Sequence, residues 1–397
     1  LWRTRWLKTN STLTSRNSNR AIPWQPKWRK LVVLLGGVSL GLAGCGEAPD
    51  QVFEQPMYVF GTIVKLTIWG ESQLRAQQTA AAIETDLQAM HRDWHAWHPS
   101  PLTDLNGSIA RGETITVSSD IAEMIRLSQD AERRSDGMFN PAAGRLFGLW
   151  GFHQDERPTG PPPTQEEVAA LVAHHPSTLD LTLDGNRVNS TNPAVQLDLG
   201  GIAKGYAGDL AIAHLRQMGV HNAIFNAGGG LQVIGRHGDR PWRIGIRHPQ
   251  GQGVLAAVQL GPESEGMHTS GNYERFREYQ GRRYQHIIDT RTGMPVDGIV
   301  SATVVHPIGA WADAAATAMV IAGRCWPRIA GQMGLDKVLL VDEQGTVYMT
   351  PEMERRVTFE KPPSQVIVKT PWVPLSPTGD RPYDNPPGGG CLTKLGE

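Results

Sequence analysis

The sequence predicts an α+β fold. Strand and helix patterns do not alternate regularly along the 397 residues, which argues against a doubly wound parallel sheet. The centre is dense in short apolar runs bounded by Gly and Pro, and amphipathic stretches flank it. An apolar content of 40% is ample for a packed core and excludes global disorder.

The elements follow in order. Residues 57–69 alternate apolar and polar and read as a strand. Residues 71–94 read as a helix whose apolar positions recur at three and four (Leu74, Ala81, Ile83, Leu87, Met90). Ser118, Ser119 and Asp120 are N-cap candidates for a helix reaching Arg134. Residues 156–163 are rich in Pro, and Thr164-Gln-Glu-Glu resembles a capping box. Strands are expected near 180–189, 194–199, 221–226, 231–236, 241–247, 254–260, 265–270, 283–289 and 299–306. Helices are expected near 202–218, 311–322 and 325–334, and a hairpin over 338–341 and 346–349 closes the pattern. No internal repeat is present. Four segments result: a basic n-region with a signal (1–44), a linker (45–56), the folded body (57–352) and a Pro/Gly-rich mobile tail (353–397).

Charge separates the ends from the body. Residues 1–30 hold eight Lys and Arg and no acid; removing these from the overall −1 leaves the rest at −9. An acidic body is a poor nucleic-acid surface, because phosphate binding relies on clustered cations. Three Cys exclude a disulfide scaffold and a four-thiolate zinc site. No apolar run is long enough for a spanning helix.

Lys27, Arg29 and Lys30 precede the uncharged run 31–44 and Cys45, the layout of a secretory signal. Leu42-Ala43-Gly44-Cys45 resembles the bacterial lipobox, in which the Cys is lipidated and begins the mature chain. Acyl chains then hold a protein on a membrane without a spanning helix. The implied location is the bacterial cell envelope, facing the periplasm or exterior. Gly46 stands where an inner-membrane retention signal often places Asp. The first ~20 residues lie upstream of a signal of ordinary length and are set aside from the fold.

Five constellations carry chemistry. Asp198-Leu-Gly-Gly-Ile-Ala-Lys204-Gly205 leads from a strand into a helix; paired glycines let a ligand approach backbone, and a helix start with a Lys attracts phosphate. It is not a Walker A loop, and alone it also reads as turn glycines with a solvated Lys. Asp313 and Thr317 share a helix face, so a carboxylate and a hydroxyl could serve one hard cation; alone, Asp313 equally suits a helix N-terminus. His286-Ile-Ile-Asp289 ends an apolar strand, where a His is more often packing than chemistry. Asn226-Ala-Gly-Gly-Gly230 reads as a ligand loop or a bulged hairpin. Phe60-Gly61-Thr62 and Trp94-His-Ala-Trp97 offer rings for stacking, though most of the twelve Trp should pack in the core.

In this order the motifs resemble the ApbE family of flavin transferases, which take FAD and attach FMN to a protein Thr. The Asp198–Gly205 block, Pro241-Trp-Arg-Ile-Gly-Ile, Thr269-Ser270-Gly271, His286-Ile-Ile-Asp289, Ala312-Asp313 with Thr317, and Asn140-Pro-Ala-Ala-Gly144 with Leu149-Trp150-Gly151-Phe152 all take part. The resemblance spans residues 59 to 350. It implies an ApbE-like, T-fold-like domain with antiparallel sheets packed against helices. It implies FAD as substrate, with AMP released and FMN passed to a Thr of an acceptor, a membrane redox subunit. It implies Mg²⁺ held by Asp313, Thr317 and the Gly201 carbonyl. Asp198 and Lys204 would contact FAD, Met138, Phe139 and Asn140 would border the flavin nucleotide, and His286 would touch ligand and accept a proton. Two positions depart from the family pattern: Phe60 replaces a Met, and Trp97 replaces the flavin-stacking Tyr. The competing readings are an FAD pyrophosphatase yielding FMN and AMP, and a non-catalytic flavin-binding lipoprotein.

Overall fold

A computed structural model describes residues 52–154 and 156–372. The expected signal over 1–44, Cys45 and the last 25 residues lie outside the described part.

A nine-stranded sheet organises the chain. Its strands are β1 (Val52–Val59), β2 (Thr62–Trp69), β3 (Ala223–Ala227), β4 (Gly230–Ile234), β5 (Glu265–Gly271), β6 (Ile299–His306), β7 (Val338–Asp342), β8 (Val347–Met349) and β9 (Val366–Val368). They lie side by side in chain order. Every neighbouring pair is antiparallel except β8 and β9, which run parallel. The mixture of helices with antiparallel sheets is the α+β class expected.

The helices are α1 (Gln73–Asp93), α2 (Pro101–Ala110), α3 (Ser119–Arg134), α4 (Gly144–Leu149), α5 (Gln165–Val172), α6 (Ala203–Gln217), α7 (Gly309–Ala322) and α8 (Trp326–Gln332). The central strands of the sheet are buried on both faces. Along β7, Val338 and Leu340 join the cluster shared with the helices, while Leu339 and Val341 join the opposite one. The second cluster is completed by the three-stranded sheet Trp242–Arg247, Val254–Leu260 and Val357–Phe359. Two-sided burial explains why the central strands read as continuous apolar runs.

Helix α7 lies against β5, β6 and α6. Twelve of its fourteen residues are buried, and eight are Ala or Gly, so neighbouring backbones approach closely. The tightest approach is at Gly205 of α6: a Cβ there would sit 2.3 Å from the Gly309 carbonyl oxygen. No side chain of its own caps α7. Asp209 of α6 caps it instead, its two oxygens accepting from the N–H groups of Gly309 (2.7 Å) and Ala310 (2.9 Å).

Several expectations need correction. The strand expected over 57–69 is a hairpin of two, because Phe60 and Gly61 adopt φ of +54° and +67° and reverse the chain. The sheet therefore begins at Val52, inside the expected linker. The run 180–189 is likewise a hairpin, Leu181–Asp184 and Arg187–Ser190. The strand expected at 194–199 makes only one isolated bridge, Ala143 to Gln196. On α1 the buried stripe runs through Ala76, Thr79, Ala80, Ile83 and Leu87, leaving Leu74 exposed. Beyond residue 352, Val357–Phe359 and Val366–Val368 pair with strands of the body, so the tail starts later than expected.

Candidate active site

The turn between residue 197 and α6 is the hub. Asn106, buried on α2, grips it from behind: its amide donates to the Leu197 carbonyl (2.9 Å) and its oxygen accepts from the Leu197 N–H (2.7 Å). Pro141 accepts from the Asp198 N–H, tying in the 138–144 segment. Asp198 Oδ1 then accepts from Gly200 N–H (2.9 Å), and Lys204 Nζ donates to the Gly200 carbonyl (3.0 Å). This self-bonded turn ends at Gly201, over which the Phe139 ring lies; a Cβ at Gly201 would meet that ring at 3.1 Å and Thr317 Oγ1 at 3.9 Å. Gly201, Thr317 and Phe139 thus lie close together. Met138 is buried beside them in the core, and Asn140 holds the segment by bonds to Pro176 and Ala142.

Asp313 is 7% exposed and lies one turn before Thr317. Its Oδ2 accepts from Gly205 N–H (3.0 Å). Thr317 Oγ1 shares a 3.1 Å hydrogen bond with Ser270 Oγ of β5. Burial pushes the Asp313 carboxyl up, but Lys204, His268 and the Gly205 N–H together outweigh it and hold it below its ordinary value. Asp313 is therefore a buried, ionised carboxylate.

Asp198 follows the same logic. Burial raises its pKa; the hydrogen bond and charge of His153, the Gly200 N–H and the charge of Arg275 more than compensate. His153 Nε2 lies 3.0 Å from Asp198 Oδ2. Its ring stacks on Trp97 at 5.4 Å and 19°, with the Arg275 guanidinium 6.0 Å from the Trp97 centroid. Phe60 stacks at 6.3 Å on Trp94 and meets His91 edge-on, and His91, His95 and Trp97 form a run of ring contacts from there. Phe60 thus reaches Asp198 through intervening rings rather than directly.

His286 makes an Nδ1 contact of 3.0 Å to the Arg275 carbonyl. A carbonyl only accepts, so Nδ1 carries the proton and Nε2 keeps its lone pair. Burial, with smaller contributions from Arg275 and Lys204, pushes its pKa down to about 4, against opposing effects of the carbonyl bond and Asp198. Near neutral pH it is a neutral imidazole able to take a proton. Asp289, by contrast, is bound bidentately by Arg291 in a turn and does not belong to this cluster.

Sequence reasoning missed His153, Arg275, Asn106, His268 and Asp209. His153 follows the Leu149–Phe152 block directly, a position signal that was available. The others are single polar residues in apolar or irregular surroundings, and no spacing marks them.

No group of three or more His, Cys, Asp or Glu side chains with metal-binding geometry occurs among the described residues. The donors gathered here are of another kind: one carboxylate, one hydroxyl and a backbone carbonyl beside a glycine. That all-oxygen set suits a hard divalent cation sharing itself with phosphate oxygens.

The sequence model of the ApbE family matches residues 60–338. A Rhodobacter capsulatus protein named FAD:protein FMN transferase is 44% identical over 88% of this chain, which spans 66% of that protein's length. A Klebsiella pneumoniae protein of the same name is 27% identical over 83% of this chain and 97% of its own. Among solved structures, an ApbE protein of Thermotoga maritima superposes with a TM-score of 0.69 at 30% identity, over 79% of this chain and all of the other. The flavin transferase ApbE of Vibrio cholerae also gives 0.69, at 25% identity over 78% of this chain and all of the other. By sequence match and by fold, the chain belongs to the ApbE family.

Proposed function

We propose that the protein is an FAD:protein FMN transferase that moves FMN from FAD to a Thr hydroxyl of an acceptor protein and releases AMP in a magnesium-dependent reaction. The names of its relatives support flavin transfer. The observation that carries the finer reading is one site holding two complementary groups: a buried ionised carboxylate one turn from a hydroxyl, and a neutral imidazole with a free Nε2.

Asp313, Thr317 and the Gly201 carbonyl would hold the ion. Mg²⁺ bound there would neutralise diphosphate charge and ease departure of AMP. Lys204, already over the glycine turn, would contact the diphosphate. Trp97 presents an aromatic face for the flavin, with Asp198 beside it and Phe139 and Asn140 bordering the nucleotide. His286 Nε2 would take the Thr hydroxyl proton as that oxygen bonds to the FMN-side phosphorus and the bridging P–O bond breaks. Bringing a dianionic diphosphate near His286 opposes the effect of Lys204 and Arg275, so substrate binding makes it a stronger base.

The Leu42-Ala43-Gly44-Cys45 signal supports lipidation at Cys45 and a site in the bacterial envelope, where a membrane redox subunit is the acceptor class.

The test is incubation with FAD, Mg²⁺ and such a subunit, read by the subunit's mass. A gain of one FMN less water, with AMP in equal amount, is expected, and Asp313→Ala should abolish both. AMP and FMN without a mass gain would make the protein a pyrophosphatase; tight FAD binding without AMP would make it a carrier.

A further inference from the structure

A polar layer lies behind Asp313 that the transfer reaction does not itself use. His268 on β5 is 2% exposed. Its Nδ1 faces Asp313 Oδ1 at 3.5 Å, and that nitrogen has no hydrogen-bond partner at ordinary distance. Leaving a buried polar atom in this state is costly. An apolar strand residue would avoid the cost, so the imidazole calls for a reason.

The neighbouring strand is built to admit it. Gly230 sits opposite His268 in the β4–β5 register, and a Cβ there would lie 2.1 Å from His268 Nδ1. The last glycine of the Asn226–Gly230 run is therefore what makes room for the ring. On its other side, Gln232 and Asp209 continue the layer: Gln232 donates to Asp209, and Asp209 caps the start of α7.

We infer that His268 is a positioning residue that fixes the Asp313 carboxylate for its cation. The inference rests on the proposed role of Asp313 as a cation ligand. Oδ2 is already held by the Gly205 N–H, so rotation about the remaining carboxylate axis is set by what Oδ1 meets. At 3.5 Å Nδ1 lies near Oδ1 without bonding it; were that contact to close to a hydrogen bond, both oxygens would be held from behind. Partners of this kind, bonded to a ligand rather than to the ion, typically contribute ~10–100-fold to metal affinity.

The experiment is titration of Mn²⁺ into the full chain with FAD present, followed by electron paramagnetic resonance, with thermal melting as a fold control. Asp313→Asn should lose Mn²⁺ binding. His268→Leu should weaken it by about tenfold or more. His268→Asn should stay near wild type, because the Asn amide nitrogen is bonded to Cγ as imidazole Nδ1 is, and so lies at the same reach. Should the Leu variant fail to fold, His268→Gln replaces it; its amide sits one bond further out and should bind Mn²⁺ more weakly than the Asn variant. Wild-type affinity in the Leu variant, or equal affinity in the Gln and Asn variants, alongside loss in Asp313→Asn, overturns the role of His268 alone. Wild-type affinity in Asp313→Asn overturns the cation reading itself, and this inference with it.

Discussion

Gly205→Ala isolates the role of helix contact in placing the Asp313 carboxylate. A Cβ at this position would lie 2.3 Å from the Gly309 carbonyl oxygen, 2.5 Å from its carbon and 2.8 Å from Ala310 Cα. All three are helix backbone and cannot rotate away. Relieving the worst contact to 3.0–3.4 Å means opening the α6–α7 crossing by about 0.7–1.1 Å. Overpacking of this size costs ~1–3 kcal/mol, partly offset by the ~1 kcal/mol that Ala gains over Gly in a helix. A net loss of about 0–2 kcal/mol should lower the melting temperature by only a few degrees. Function should suffer more. The Gly205 N–H bonds Asp313, and Gly309 starts the helix that carries Asp313 and Thr317. A displacement near 1 Å typically costs ~10²-fold in rate. The assay pairs a melt with the rate of FMN transfer to an acceptor subunit. Gly107→Ala in α2 is the control, because its Cβ would meet only the movable end of Arg111 at 3.3 Å; it should be neutral or stabilising by up to ~1 kcal/mol. Transfer by Gly205→Ala within twofold of wild type would refute the claim that this contact places Asp313.

Other outcomes follow from the same geometry. His286 has its pKa lowered to about 4, so its basic form persists as pH falls from 6.5 and is lost only through about 4; kcat/KM should show no acid limb centred near 6.5, and such a limb that disappears in His286→Ala would contradict the assignment. That variant should bind FAD nearly as wild type while transferring slowly. Asn106→Ala should cost ~2–4 kcal/mol in chemical denaturation, because two buried backbone groups of Leu197 lose their partners at once. Trp97→Ala should weaken FAD binding by roughly tenfold through lost stacking, measured by flavin fluorescence.

The parts of the fold legible in sequence were those with local causes. Ser118 and the Thr164–Glu167 box cap helices where the sequence put them, since capping depends on four consecutive residues. The helix α2 escaped notice although Ser100-Pro101 begins it with a capping box, because it is only ten residues long and the buried Leu102, Leu105 and Ile109 are interspersed with the buried polar Asn106 and Ser108. Two hairpins read as single strands because turn conformation at Phe60, Gly61 and Gly185 leaves the apolar alternation unbroken. Gly201, Asp313 and Thr317 could be named because their spacing and order resemble a family pattern. His268, Asp209, Gln232 and Asn106 could not. Each matters through a partner at least 23 residues away in sequence, and pairings of that kind exist only once the sheet and helices have docked.

The electrostatics of the site show what the fold is built to tolerate. Asp198 and Asp313 are both buried carboxylates, and burial alone would neutralise each of them. Each has its pKa held down because polar and charged groups, Lys204, His268 and the Gly205 N–H for Asp313 and His153, Arg275 and the Gly200 N–H for Asp198, are drawn from different elements to the same place. Pairs of this sort rarely add net stability, since desolvating both charges offsets the attraction between them. A chain selected for stability alone would fill this space with apolar side chains, as it does elsewhere along α7. That it instead keeps two buried acids with lowered pKa beside an imidazole kept neutral is the pattern of a functional site, and it suits the proposed transfer, in which a cation, a diphosphate and a proton would be met together. Asp209 sharpens the point: burial raises its pKa and Asp313 adds to the rise, yet it accepts two helix N–H groups, so the same buried layer that strains charge also anchors the helix carrying the ligand.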